Sequence, residues 1–369
     1  MPSVSSFGSY ICSLRSHKKM GQRELARALG VSAPYLNDIE KNNRAATRDE
    51  LIDKICEILD ANYETLSDLA GKCKNSIPPD VLSFIYDKLE IYSLLRLIKS
   101  FEISELGIRE LKKSMTSSNV SAMIIAAGLG SRLMGYTEDL PKCMLNFGGK
   151  TLLQRQLDAY NECGIKNISV IRGYKKEKIN YEGLRYYENT DFENNNILNS
   201  LFYGEEALNG NIIISYSDIL FDTSVVKRLL ESDKDIAIVV DIDWREYFVG
   251  RKGHPIEEAE NVVFNANNEV VQIGKILTGR DDVFGEFIGM MKFTPRGAEI
   301  FKKHFHRAKD QYWDKPFQRA KTFQKAYITD MIQEMVELGS TVHCVIIERG
   351  WKEIDTEEDY ENALVEFND

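Results

Sequence analysis

Met123-Ile-Ile-Ala-Ala-Gly-Leu-Gly-Ser-Arg-Leu133, with Pro141-Lys142 soon after, is the stretch on which the reading of this 369-residue chain turns. Residues 123–127 form an unbroken apolar run, the pattern of a parallel strand covered on both faces. Gly128 and Gly130 then let the backbone turn tightly and approach phosphate oxygens, to which amide N–H groups can donate. Arg132 adds a bidentate phosphate donor, and Lys142 a mobile point charge. A dinucleotide fingerprint would need a third glycine where Leu133 stands, and Gly149-Lys150-Thr151 lacks the upstream glycine of a P-loop because position 144 is Met. The loop alone fits either a phosphate cradle or a turn that only joins a strand to a helix.

The run Ala126-Ala127-Gly128-Leu129-Gly130-Ser131-Arg132-Leu133 with Pro141-Lys142 resembles the signature of the nucleotidyltransferase (pyrophosphorylase) superfamily. Asn196-Ile-Leu-Asn-Ser-Leu201 resembles the Asn-x-x-x-Ser-Leu segment near the nucleotide in its cytidylyltransferase branch. Tyr216-Ser-Asp218 looks like the strand end carrying the superfamily's first magnesium-binding aspartate, and Trp351-Lys-Glu-Ile-Asp355 like the element carrying the second. Residues 241–255 and 285–293 look most like enzymes that activate phosphonates, with phosphocholine cytidylyltransferases as neighbours. The motifs follow in the expected order from about residue 120 to the end, and the ordered set is far more specific than any member.

The resemblance implies a Rossmann-like α/β nucleotidyltransferase domain over 120–369, with a mostly parallel mixed sheet. Its expected reaction moves CMP from CTP to a small phosphonate or phosphate acceptor and releases pyrophosphate. Phosphocholine or sugar-1-phosphate transfer is the competing enzyme reading, and a regulator that only senses nucleotide or product is a reading of another class. By resemblance, Ala126, Ala127, Gly128, Leu129 and Gly130 would hold the triphosphate, and Asn196 and Ser200 the pyrimidine edge and ribose. Asp218 and Asp355 would hold Mg2+, with Glu353 as a third ligand if its segment is a strand that points both carboxylates to one face. Arg132 would neutralise the departing pyrophosphate, while Lys142 would stabilise the attacked α-phosphate or the acceptor. Arg245, Arg251, Lys252 and His254 form a cationic set suited to a small dianion, and Glu286 could meet an acceptor amine. Without that context, a lone aspartate at a strand end is commonly a cap or turn residue, Asn196 and Ser200 are helix caps, and the charges are solvated surface.

Apolar runs at 168–172, 212–217 and 236–240 read as strands, and 152–163 and 225–230 as intervening helices, so helices on both faces of a mostly parallel sheet are expected. Ligands of such sheets bind beyond the carboxyl ends of strands. Gly128, Asp218 and Asp355 are expected there, although 137 residues separate the two aspartates.

The chain carries a net charge of −10, but residues 11–48 hold eight Lys/Arg against three Asp/Glu. Within this basic island Gln22-Arg-Glu-Leu-Ala-Arg-Ala-Leu29 reads as a short amphipathic helix, Gly30 ends it, and Ser32 caps the next. This pattern resembles the Cro-type phage-repressor helix-turn-helix domains, which implies an all-α domain of five helices over 7–72. By that resemblance, Gln22, Ser32, Ala33, Tyr35 and Asn37 would face an operator in DNA, with Lys41 and Arg44 near phosphates. A helical bundle used only for protein contacts is the alternative.

Residues 78–116 read as a helical linker or dimerisation segment, too apolar to stay exposed. A homodimer partner and the catalytic domain are equally good covers. The 43% hydrophobic content supports substantial cores, and no apolar run reaches membrane-spanning length. Six scattered cysteines without a Cys-x-x-Cys pair point away from zinc or a disulfide framework, and a reducing cytoplasm is the simplest expected location.

Overall fold

The computed structural model describes residues 6–44, 49–86, 88–100, 104, 107–108, 120–248, 251, 253, 255–275 and 285–368. The chain divides between Gly107 and Ile108 into two compact units.

The N-terminal unit holds α1 (Phe7–His17), α2 (Gln22–Leu29), α3 (Ala33–Glu40), α4 (Asp49–Leu59) and α5 (Tyr63–Lys74) around Phe7, Ile11, Leu25, Leu36, Ile39, Ile55 and Leu66. Gly30 ends α2 in the left-handed region at φ +70°, and Ser32 opens α3 by accepting from the Tyr35 N–H at 3.3 Å. These are the breaker and cap expected from sequence. A Cβ at Gly8 would lie 2.1 Å from the Ile39 carbonyl oxygen, so α1 and α3 meet at backbone distance and the position tolerates no side chain. The apolar segment that follows forms α6 (Pro79–Tyr86) and α7 (Leu89–Ser100), with Phe84, Leu94 and Leu97 exposed. Residues 87, 101–103, 105–106 and 109–116 of the expected helical stretch lie outside the described residues.

In the second unit, β1 (Val120–Ala126) is central and pairs in parallel with β4 (Asn167–Arg172) and β6 (Asn211–Tyr216). Met123 and Ile125 enter one core, and Ala122, Ile124 and Ala126 the other, which is why the run is apolar at every position. β5 (Arg185–Glu188) extends the parallel edge beyond β4. On the other side β6 pairs with β11 (Gly285–Phe293), then come β8 (Ile236–Asp241) and β12 (His343–Ile347). β11 runs antiparallel to β6 and β8 and also receives the hairpin β9 (Asn261–Phe264) and β10 (Val270–Gly274). Because β11 is buried throughout, its sequence carries no mark of strand direction.

The intervening helix α9 (Leu152–Glu162) is capped by the Thr151 hydroxyl. It follows α8 (Met134–Thr137) and precedes α10 (Ile197–Leu201), α11 (Thr223–Leu230), α12 (Trp244–Tyr247), α13 (Pro295–Tyr312), α14 (Ile328–Glu337) and α15 (Glu357–Asn368). The expected helices at 152–163 and 225–230 are α9 and α11. The fold is the α/β, mostly parallel mixed sheet read from sequence, with an all-α unit before it. One placement differs: Asp355 does not follow a strand of the main sheet. It follows β13 (Trp351–Glu353), which pairs with β7 (Ile219–Phe221) in a separate antiparallel ribbon.

Gly8→Ala is expected to cost about 1–3 kcal/mol through overpacking of α1 on α3. Amide exchange within residues 7–74 would accelerate while exchange within 120–368 stays unchanged. Equal exchange in both proteins would remove this account of the α1–α3 contact.

Candidate active site

Beyond Ala126, Gly130 takes φ +64°, and a Cβ there would press on Lys142 Cβ at 3.3 Å and Thr137 Cγ2 at 3.4 Å. Gly128 has open space around it, so the strict glycine requirement belongs to Gly130. The Thr137 hydroxyl donates towards the carbonyls of Gly130 and Leu133 at 2.9 and 2.8 Å, fixing the loop from inside.

Asp218 sits between β6 and β7, where the buried Gln156 of α9 donates to the carbonyls of Tyr216 and Ile219 and holds the turn. The ribbon then brings the C-terminal motif alongside: Glu353 pairs with Ile219, and the Ile354 N–H donates to the Asp218 carbonyl at 2.8 Å. Trp351 Nε1 anchors the ribbon to the main sheet through the fully buried Asp241 carboxylate at 2.7 Å. Asp359 of α15 accepts from the N–H groups of Asp355 and Thr356, and Arg251 clamps the same carboxylate at 2.8 and 2.9 Å.

The result is one cluster in which carboxylate oxygens of Asp218, Glu353 and Asp355 lie within 4.8 Å of one another. Lys142 Nζ donates to Asp218 Oδ2 at 2.9 Å and Asp355 Oδ1 at 2.6 Å, and Arg132 Nη1 meets Asp355 Oδ2 at 2.7 Å. Burial alone would lower the Lys142 ammonium pKa, but facing Asp218 and Asp355 it is held above its ordinary range. Burial, reinforced by Asp355 and Asp218, pushes Glu353 up to about 8. Asp218 Oδ1 is buried and accepts from no described residue. Three carboxylates with such an orphaned oxygen could hold a hard divalent cation.

The cluster forms one end of a cavity of about 330 Å³, lined also by Ala126, Ala127, Gly128, Gly130, Asn195, Asn196 and Ser200. Leu129 of the loop stands outside this lining and is 43% exposed. Asn196 is occupied as a cap, accepting from the Ile197 N–H at 2.8 Å and donating to the Lys325 carbonyl at 3.2 Å. Ser200 bonds instead within an amide network of Asn189 and Asn195.

Of the expected cationic acceptor group, the two described members do not line the cavity. Arg245 is exposed with its guanidinium over the Trp244 ring, and Arg251 is turned to Asp359; neither lines the cavity. Lys252 and His254 lie outside the described residues. Glu286 of β11 does line it, with Oε2 buried and accepting from no described residue. Burial first, then Glu353, holds its carboxyl well above the ordinary range. Glu258, Glu260, Lys275 and Tyr327 complete this wall, and none carried a sequence signal beyond that of surface charge. Glu260 accepts from the Thr329 hydroxyl at 2.9 Å, and burial pushes it up to about 7 against the pull of that bond.

In the N-terminal unit the seven expected DNA-facing residues lie on or beside α2 and α3. Arg15 and Glu40 form a bidentate pair at 2.6 and 3.1 Å, and Gln22 donates to Glu40 at 2.8 Å and towards Asn37 at 3.4 Å. Ser32 is exposed, Ala33 and Tyr35 are half-buried, and the Arg44 guanidinium lies 5.1 Å from the Tyr35 ring centroid. Lys41 and Arg44 are exposed.

Residues 122–269 match the MobA-like NTP transferase domain family, and residues 13–66 match a helix-turn-helix family. A CTP:phosphoglutamine cytidylyltransferase of Campylobacter jejuni is 28% identical over 254 residues, which are 66% of this chain and 98% of that protein. A 2-aminoethylphosphonate cytidylyltransferase of Lancefieldella rimae is 26% identical over 218 residues, 55% of this chain and 80% of that one. Among solved structures, CTP:phosphocholine cytidylyltransferase of Streptococcus pneumoniae superposes with a TM-score of 0.51 at 22% identity, covering 67% of this chain and 98% of that chain. No helix among the described residues is long and apolar enough to cross a membrane.

An ordinary glutamate loses its proton near 4.5, whereas Glu260 keeps its own to about 7. Between those values the folded chain binds more protons than the unfolded one, so this group makes stability fall as pH rises. Glu260→Gln retains an oxygen for Thr329 and should flatten that part of the urea-unfolding profile; parallel slopes in both proteins would exclude the assignment.

Proposed function

From a chain whose residues 122–269 are a MobA-like NTP transferase domain and whose residues 13–66 are a helix-turn-helix domain, we propose a magnesium-dependent cytidylyltransferase that joins CMP from CTP to a small amine-bearing phosphonate or phosphate, coupled in one polypeptide to a DNA-binding module. The observation that carries this reading is the meeting of Lys142, Asp218, Glu353 and Asp355 at the end of the glycine loop, in the cavity that Glu286 also lines.

An acceptor oxygen forms a bond to the α-phosphorus of CTP as the bond from that phosphorus to the bridging oxygen breaks, and pyrophosphate leaves. Negative charge gathers on every partner, so the site must supply cations and alignment rather than a covalent nucleophile. The loop from Gly128 to Arg132 offers backbone N–H groups to the triphosphate. Arg132, half exposed, can leave Asp355 to follow the departing pyrophosphate, because an exposed ion pair costs little to break. Lys142, buried and held by Asp218 and Asp355, would stabilise the α-phosphate as charge develops there. Asp218, Asp355 and Glu353 would hold Mg2+, which when bound neutralises triphosphate oxygens and polarises the phosphorus. Glu286 supports the choice of acceptor: a buried acid without a partner among the described residues suits the ammonium of an aminoalkyl phosphonate or phosphate. The relatives named for phosphoglutamine and 2-aminoethylphosphonate favour acceptors of that chemistry.

At the N-terminal unit, α3 is the candidate recognition helix, with Tyr35 and Asn37 towards bases and Lys41 and Arg44 towards phosphates. The Arg15–Glu40–Gln22 network would fix the angle between α2 and α3.

A pyrophosphate-release screen crossing the four nucleoside triphosphates with aminoethylphosphonate, hydroxyethylphosphonate, phosphocholine and sugar phosphates tests the enzyme reading directly. CTP with an amine-bearing acceptor is expected to lead, and absence of turnover with every pair would refute it. Asp218→Asn and Asp355→Asn should each lower magnesium-dependent release by about 10²-fold or more while unfolding stays cooperative, since a bound cation contributes several kcal/mol to such a transition state. Binding to operator DNA should weaken steeply with salt and with Tyr35→Ala. A protein that ignores DNA at low salt has lost the regulator half of the proposal.

A further inference from the structure

We propose that the buried side chain of Asn189 fixes the hydrogen-bond polarity of the base-reading edge, so that the cavity accepts cytosine and rejects uracil. This rests on the cytidylyl-transfer reading and adds the residue that enforces it. Asn189 is 2% exposed and follows β5 at the floor of the network, outside the cavity lining.

Amide orientations are assigned from their partners, and here one partner leaves no choice. The Asp191 backbone N–H can only donate, and it meets Asn189 at 3.0 Å, so the atom facing it is Oδ1. Asn189 Nδ2 therefore faces the cavity side, where it donates to Asn195 Oδ1 at 2.9 Å and to Ser200 Oγ at 2.8 Å. Asn195 must then turn its own Nδ2 to Asn189 Oδ1, at 3.0 Å, closing a reciprocal amide pair. Ser200 receives a hydrogen from Asn189, so its own hydroxyl hydrogen goes elsewhere, and Asn195 Oδ1 stands 3.2 Å away to take it.

The remaining hydrogen-bonding capacity follows from this assignment. Asn195 Oδ1 already accepts two bonds, and Asn195 Nδ2 has one hydrogen left to donate. Ser200 Oγ has one lone pair left to accept with. Both residues line the cavity. A ligand edge thus meets one acceptor at Ser200 beside one donor at Asn195. Cytosine presents its N4 amino donor beside the N3 acceptor and fits. Uracil presents O4 as acceptor beside the N3–H donor, which sets acceptor against acceptor and donor against donor. A site whose buried polar groups would be left unpaired by the wrong base discriminates strongly, because those groups cannot return to water. Adenine shares cytosine's polarity on this edge, so exclusion of purines falls to the size of the cavity.

The test is the ratio of kcat/KM for CTP to that for UTP, measured with one acceptor for the wild type, Asn189→Asp and Ser200→Ala. Aspartate puts an acceptor where Nδ2 donated, so Asn195 Oδ1 and Ser200 Oγ lose the hydrogens that hold them in one polarity; Ser200→Ala deletes the acceptor outright. Each substitution is expected to lower the CTP:UTP ratio about tenfold or more, the scale of one bidentate edge contact. A merely structural role would reduce both nucleotides alike and leave the ratio unchanged. A wild type that prefers CTP, with both cooperatively folded variants keeping that preference, overturns the Asn189 inference alone. A wild type that turns over UTP as readily as CTP overturns the cytidylyl reading and this inference with it.

Discussion

The hydrogen bond from the Ile354 N–H to the Asp218 carbonyl, with the short β7–β13 ladder behind it, is the constraint on which the site depends. An isolated two-stranded ribbon is marginal in water, and this one persists because its residues are buried elsewhere. Leu220 and Ile354 pack with Leu133, Leu145, Phe147 and Leu152, while the Trp351 indole is held by Asp241 from the main sheet. The ribbon carries the last motif of the chain back across the strand ends and sets Asp355 beside Asp218. Asp359, held by Arg251, then fixes the backbone at Asp355 and Thr356.

That convergence creates an electrostatic problem which the protein solves internally. Three carboxylates within 4.8 Å repel one another, and the Lys142 ammonium stands among them. Lys142 is buried and difficult to replace, whereas Arg132 is half exposed and its pairing is weak. Two cations that look equivalent in the sequence thus have unequal freedom. Elsewhere in the cavity lining the problem is solved differently, since Glu260 and Glu286 relieve the cost of burial by keeping their protons longer than a surface glutamate does.

Helices α2 and α3 were legible almost to the residue, because their signals are local. Gly30 breaks α2, Ser32 caps α3, and the apolar spacing of Leu25, Leu29, Leu36 and Ile39 sets the packed faces. The catalytic motifs were legible as an ordered set, and the α/β class followed from alternating apolar runs. Side-chain assignment was weaker. In Asn194-Asn195-Asn196 the sequence offers three identical amides, and only the start of α10 decides that Asn196 is spent as a cap while Asn195 joins the network with Ser200. Arg251 reads as a substrate ligand among its cationic neighbours, yet its guanidinium closes on Asp359, a partner 108 residues away.

The sequence by itself determined the elements with a clear apolar pattern, where the glycine loop turns, and which chemistry-bearing residues exist, because those depend on periodicity, caps and breakers within a few residues. Only the tertiary structure decided the antiparallel direction of β11, the off-sheet ribbon that delivers Asp355, and the wall of Glu258, Glu260 and Glu286. The physical reason is burial. A fully buried strand is apolar whichever way it runs, and a carboxylate has the same letter in solvent and in a cavity; desolvation and distant partners, which the fold alone supplies, give each its role.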